Sequence, residues 1–161
     1  MKKRTALIFL VVSGFIFSQT NGPITKYYSY WNLSVDSAVT PDLYYQIYNW
    51  VGTKYRYAGN CKEDGIDCSG FVNEIYKNVY CVTLKGSSKE MFKQLTPVSK
   101  KNLKEGDLVF FKIRKNTISH VGIYLAHHKF AHATTKAGVT VSDLDDDYYK
   151  KYFYKGGRLK E

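Results

Sequence analysis

The sequence predicts an α+β domain in which N-terminal helices pack on an antiparallel β-sheet and a candidate nucleophile sits at a helix N-terminus. Apolar residues recur at helical spacing in the first half of the chain, and after residue 97 they fall into short β-rich runs. A length of 161 residues suits one domain with one core. Hydrophobic residues at 44% beside 24% charged residues describe a globular chain.

The order of elements begins with a segment outside the fold. Met1-Lys2-Lys3-Arg4 is a cationic start, and residues 6–17 are apolar apart from Ser13 and Gly14. That run is too short to span a bilayer and has the length of a signal-peptide core, so residues 1–18 are expected to be a signal peptide. No cysteine lies nearby to carry a lipid anchor, and no later segment reads as transmembrane. The expectation is an exported protein, soluble after cleavage, with an extended lead-in at residues 19–38 and a folded domain at 39–161. Losing Lys2, Lys3 and Arg4 lowers the formal charge from +10 to +7. No basic helix or Arg-rich groove accompanies that charge, which argues against nucleic acid. An anionic envelope polymer or membrane surface fits it, as does a plain solvated face.

Thr40-Pro41 opens the first helix, with a capping hydroxyl and a proline in the first turn. Leu43, Ile47, Trp50 and Val51 follow at helical spacing, and Gly52 closes it. Residues 53–66 read as a loop. A second helix runs over residues 68–80 with Phe71, Val72, Ile75 and Val79 on one face, and Ser87-Ser88-Lys89-Glu90 is a capping box for a third, reaching Leu95. Strands are expected at 108–113, 119–126, 130–134 and 139–142, then an acidic turn at 143–147 and a closing strand within 152–159. The 15 tyrosines, mostly at 27–57 and 148–154, suit half-exposed surfaces and grooves.

Within GIDCSGFV, residues 65–72, Cys68 stands at a helix mouth. Unpaired amides and the partial positive charge there favour thiolate over thiol, and Asp67 can cap the helix. A small buried apolar residue is the other reading of such a cysteine. A thiol nucleophile needs a base held by a third polar group. Of the four histidines, His127 and His128 lie at a hairpin tip beside Lys129, whereas His120 and His132 sit in apolar strands. Because side chains alternate along a strand, His120 and His132 share a face only if the loop around 127–128 is odd in length or bulged. That loop geometry is therefore predicted if the two form a relay.

Five motifs in order, YRYAG at 55–59, DCSGFV at 67–72, GDLVFF at 106–111, HVGIYL at 120–125 and FAHA at 130–133, resemble those of the NlpC/P60 family. These are papain-like cysteine peptidases of cell-wall peptides, and the likeness, spanning roughly residues 40–159, is to the small Spr-type murein endopeptidases. It implies Cys68 as nucleophile, His120 as base and His132 as the residue orienting it. It also implies Tyr55 beside the nucleophile, where its hydroxyl and the Cys68 amide could meet an oxyanion. Asp67 and Ser69 are the further candidates for substrate binding. Ala58-Gly59 departs from the usual Gly-Gly, and the Asn60 to Asp64 loop, which contains Cys61, is longer. GDLVFF is read as structural.

Cys61 and Cys81 lie before and after a 13-residue helix about 20 Å long. A disulfide wants Cα atoms within about 7 Å, so two independent thiols are expected. No zinc-ligand spacing is present, and neither metal nor cofactor is expected. The implied activity is hydrolysis of peptidoglycan stem peptides through a thioester, at the bond joining D-glutamate by its γ-carboxyl to the diamino acid. An N-acetylmuramoyl-L-alanine amidase, a lipid acyltransferase of similar architecture and a non-catalytic wall-binding module are the alternatives.

Overall fold

A computed structural model of the protein describes Trp31 and residues 40–114 and 116–160. The expected signal segment lies outside the described residues, as does the lead-in apart from Trp31. Helix α1 spans Pro41–Trp50, α2 Cys68–Tyr80, α3 Ser88–Lys93 and α4 Asp147–Tyr152. A two-stranded hairpin joins β1 (Asn60–Cys61) to β2 (Gly65–Ile66). The main sheet contains β3 (Thr96–Val98), β4 (Leu108–Phe111), β5 (His120–Tyr124), β6 (Lys129–Thr134), β7 (Gly138–Asp143) and β8 (Phe153–Arg158). Its order is β3-β8-β4-β5-β6-β7, with every neighbour antiparallel. This is the expected α+β arrangement.

Strand β4 shows why the sheet holds. Leu108 and Phe110 join the core beneath the helices, while Val109 and Phe111 belong to a second cluster on the opposite face. Both faces are covered, so all four residues are apolar and fully buried. Helix α2 supplies Phe71, Val72, Ile75 and Tyr76 to the main core, at the spacing of one helical face. Helix α1 adds Leu43, Tyr44 and Ile47, and Trp31 packs on Tyr44 and Tyr48 with ring centroids 6.1 and 6.3 Å apart.

Several expectations are corrected. Thr40 precedes α1 in extended conformation, but its hydroxyl makes no cap bond. Glu105 instead accepts from the Thr40 amide at 2.7 Å and from the Tyr44 hydroxyl at 3.0 Å. Residues 53–66 contain a short hairpin, and the acidic turn continues into α4. Strand β3 escaped notice because it has three residues, one of them Pro97, and lies at the sheet edge where a missing N–H is tolerated. The Ser87 capping box does open α3, which ends at Lys93.

Asp107 fixes the turn before β4. Its carboxylate accepts from Arg158 Nε and an Arg158 terminal nitrogen, both at 2.7 Å, and from the Lys104 amide at 2.8 Å. Cys61 and Cys81 are both free thiols, as expected. Among the described residues, no helix is long and apolar enough to cross a membrane.

Candidate active site

Cys68 is placed by its helix cap. Asp67 Oδ1 accepts from the Gly70 amide at 2.7 Å and the Ser69 hydroxyl at 2.9 Å, while Oδ2 accepts from the Ala58 amide at 3.0 Å. One side chain therefore starts α2 and ties it to the preceding loop. Gly70 lets that loop approach: a Cβ there would lie 2.6 Å from the Gly59 carbonyl oxygen. Cys68 is 8% exposed, and the backbone amides of Val121, Ser69 and Cys68 act on its thiol. Val121 directly follows His120, so the helix mouth meets the beginning of β5.

The two histidines are brought together by register. Ile123 pairs with Ala131 and Tyr124 with Phe130, and the hairpin closes with Leu125 N–H to Lys129 at 2.9 Å and Lys129 N–H to Ala126 at 2.8 Å. Three residues, 126–128, form the loop, with His127 and His128 at φ of 49° and 64°. The odd length puts His120 and His132 on one face as diagonal neighbours, the geometry predicted for a relay. His120 Nε2 and His132 Nδ1 lie 2.7 Å apart. Gly122 makes room between them, since a Cβ there would meet the Ala131 oxygen at 2.8 Å and His132 Cβ at 3.1 Å.

His132 is fully buried behind His120, and its Nε2 lies 2.9 Å from the Ser142 hydroxyl and 3.4 Å from the Tyr149 hydroxyl. Ser142 and Tyr149 were not singled out in the sequence. Ser142 is one of several small polar residues in β7, and only the β6–β7 register, with Thr140 opposite His132, shows that it faces the imidazole. Tyr149 lies on α4, which follows the acidic turn expected at 143–147.

Burial sets the protonation states. Loss of solvation, followed by the Asp67 carboxylate, pushes the Cys68 thiol up to about 11, against the opposing pull of the nearby amides. At this helix mouth desolvation outweighs the pull of the helix terminus on the thiol. Burial lowers His120 to about 4 and holds His132 well below its ordinary value, with the His120 charge adding to the latter. The site rests as neutral thiol and neutral imidazoles. Burial also raises the Tyr55 phenol, with the Cys68 and Asp67 charges acting the same way, so it stays a hydrogen-bond donor.

A groove of about 1100 Å³ runs over these residues and is lined by Tyr55, Asp67, Cys68, Ser69 and His120. All five expected groove residues are therefore gathered along it, with His132 behind. Asp67 is already engaged three times, leaving one lone pair on Oδ2. Arg114 from the β4–β5 loop and Lys136 from the β6–β7 turn also line the groove, and both are exposed. Elsewhere, His128, Asp143 and Asp145 place ligand atoms within 4.8 Å of one another. Lys129 and Lys100 already pair with those carboxylates at 2.8 and 2.7 Å, so the cluster is an ion-pair network.

The sequence profile of the NlpC/P60 family matches residues 52–158. A probable endopeptidase NlpC homologue from Haemophilus influenzae is 42% identical over 114 residues, 70% of this chain and 60% of the relative. The murein DD-endopeptidase MepS/murein LD-carboxypeptidase of Escherichia coli (strain K12) is 39% identical over 114 residues, 71% of this chain and 60% of the relative. The chain thus spans about 60% of the length of these curated relatives. A solved NlpC/P60 family protein from Bacillus cereus superposes with a TM-score of 0.67 at 28% identity, covering 73% of this chain and 39% of that one.

Proposed function

Because the chain belongs to the NlpC/P60 family, we propose that it is a cysteine endopeptidase of peptidoglycan stem peptides, acting through Cys68, His120 and His132. The observation that carries this reading is the contact between His120 Nε2 and His132 Nδ1 on a groove that also holds Cys68 at a helix mouth. Exported by its first 18 residues, the protein acts at the wall.

His120 Nε2 is committed to His132, which leaves Nδ1 for the thiol. In the free enzyme the thiol holds its proton, so the proton moves to Nδ1 as sulphur attacks the scissile carbonyl. The developing oxyanion is met by the Cys68 amide and the Tyr55 hydroxyl. The imidazolium then protonates the leaving amine, and a thioester remains on Cys68. Water, deprotonated by His120, attacks the thioester and restores the thiol. No step requires a metal or cofactor. Ser69 and the remaining lone pair of Asp67 Oδ2 can hold a substrate N–H, while Arg114 and Lys136 suit the carboxylates of an acidic peptide.

The bond implied by the family resemblance joins D-glutamate, through its γ-carboxyl, to the diamino acid. A second reading, a bond between two D-centres, is favoured by the E. coli relative, a murein DD-endopeptidase. Digestion of purified peptidoglycan followed by mass spectrometry of the fragments separates them. Fragments ending in D-glutamate support the first, and loss of cross-linked dimers with intact stems supports the second. Release of whole stems from the glycan would identify an amidase, and binding without cleavage would identify a wall-binding module.

A further inference from the structure

His132 Nε2 faces the Ser142 hydroxyl at 2.9 Å, and Tyr149 stands over both. The Tyr149 hydroxyl lies 3.4 Å from the same nitrogen, so two hydroxyl oxygens face His132 Nε2. The Tyr149 ring meets His132 edge-on with centroids 5.2 Å apart, and Phe130 at 4.9 Å. Tyr149 and Ser142 both reach the groove wall, so the pair lies between the buried imidazole and solvent.

This arrangement bears on the direction of the proton donors. His120 serves as a base only if Nδ1 is unprotonated, so its single proton must sit on Nε2 and point to His132. His132 Nδ1 must then be an acceptor and its Nε2 a donor, which requires an acceptor beyond it. With the opposite tautomer of His132, its Nδ1–H would face His120 Nε2. His120 would have to move its proton to Nδ1, toward the thiol, and would no longer be a base. A hydroxyl can either donate or accept, so Ser142 alone does not choose. With two hydroxyl oxygens converging on it, an Nε2–H can be shared between both, whereas a bare Nε2 has a single lone pair and can accept from only one.

We propose that Ser142 and Tyr149 are positioning residues that fix the direction of the His120–His132 hydrogen bond, with their hydroxyl oxygens, Ser142 Oγ foremost, accepting from His132 Nε2–H. The proposal rests on the catalytic reading above, but its first test needs no substrate. Nitrogen-15 NMR of the full chain labelled at histidine reads the tautomer of each ring. At neutral pH the wild type shows Nε2–H and bare Nδ1 on both His120 and His132. Ser142→Ala leaves His132 Nε2 without its nearer acceptor and gives a mixed or reversed tautomer, whereas Ser142→Thr, which keeps the hydroxyl, retains the wild-type pattern. Tyr149→Phe shifts the pattern in the same direction as Ser142→Ala.

The kinetic counterpart is a fall in kcat of about 10- to 100-fold in Ser142→Ala, the range for partners that orient a working histidine, with KM unchanged and recovery in Ser142→Thr. Wild-type tautomers and wild-type kcat in Ser142→Ala would overturn the proposal. So would a wild type whose His132 carries its proton on Nδ1. Wild-type tautomers as stated in a protein inactive on peptidoglycan would refute the proposed function and leave the relay standing.

Discussion

His120 Nε2 and His132 Nδ1 stand 2.7 Å apart because three residues, not two or four, close the hairpin between their strands. Moving the register by one residue would turn one imidazole to the opposite face of the sheet. Helix α2 brings Cys68 to the end of that hairpin, where the Val121 amide acts on its thiol.

His132 orients a base and does not itself attack, so its removal acts on kcat more than on KM. His132→Ala is expected to lower kcat by roughly 100-fold or more, with His132→Gln keeping part of the activity because its amide oxygen can still accept from His120. Steady-state kinetics on an isolated stem peptide check this.

Gly122 is predicted to tolerate no side chain. In Gly122→Ala the added methyl group would lie 2.7 Å from a Phe130 ring carbon and 2.8 Å from the Ala131 oxygen, forcing β6 and its histidine away. A loss of about 1–3 kcal/mol is expected from overpacking, with a larger fractional loss of activity. Denaturant unfolding alongside kinetics separates the two effects.

The buried histidines make both stability and activity fall on the acid side. Their folded pKa values lie below the unfolded value of 6.5, so the unfolded chain binds more protons as pH drops. Stability from this source is fully present above about pH 6.5 and is lost as pH falls toward about 4. The acid limb of kcat/KM should lie near that lower value. The Cys68 thiol works in the opposite sense, favouring the folded state until pH rises from 9.0 toward about 11. Its alkylation by iodoacetamide in the free enzyme should therefore rise with a midpoint above 9, and a midpoint near neutrality would indicate a preformed ion pair.

Arg114 and Lys136 stand on loops at the same end of the sheet as His120, so they are expected to act on substrate binding. Arg114→Glu should raise KM severalfold for an acidic stem peptide and leave kcat nearly unchanged, with the effect shrinking at high salt. Isothermal titration with inactive Cys68→Ala carrying the same change reads the binding term alone.

The helix that carries the nucleophile was legible because its signals are local. Asp67 caps it, and Phe71, Val72 and Ile75 recur on one face, so its bounds of Cys68–Tyr80 follow from sequence. The shared face of His120 and His132 was legible as a condition on loop length. What lay beyond needed the sheet register: nothing marks Ser142 until β7 is aligned with β6. Helix α4 was hidden in a run of aspartates and tyrosines, of which Tyr149 reaches His132 while Asp146 and Tyr148 line the groove. A helix N-terminus beside Cys68 is visible in sequence, whereas the burial that opposes its effect on the thiol is not.

The most direct test is to capture the intermediate. The wild-type protein is mixed with a stem peptide, quenched in acid within a turnover and mapped by mass spectrometry. The account predicts the acyl half of the peptide attached to Cys68, with neither adduct nor cleavage in Cys68→Ala. Continued cleavage by Cys68→Ala, with no adduct at Cys68 in the wild type, would contradict it.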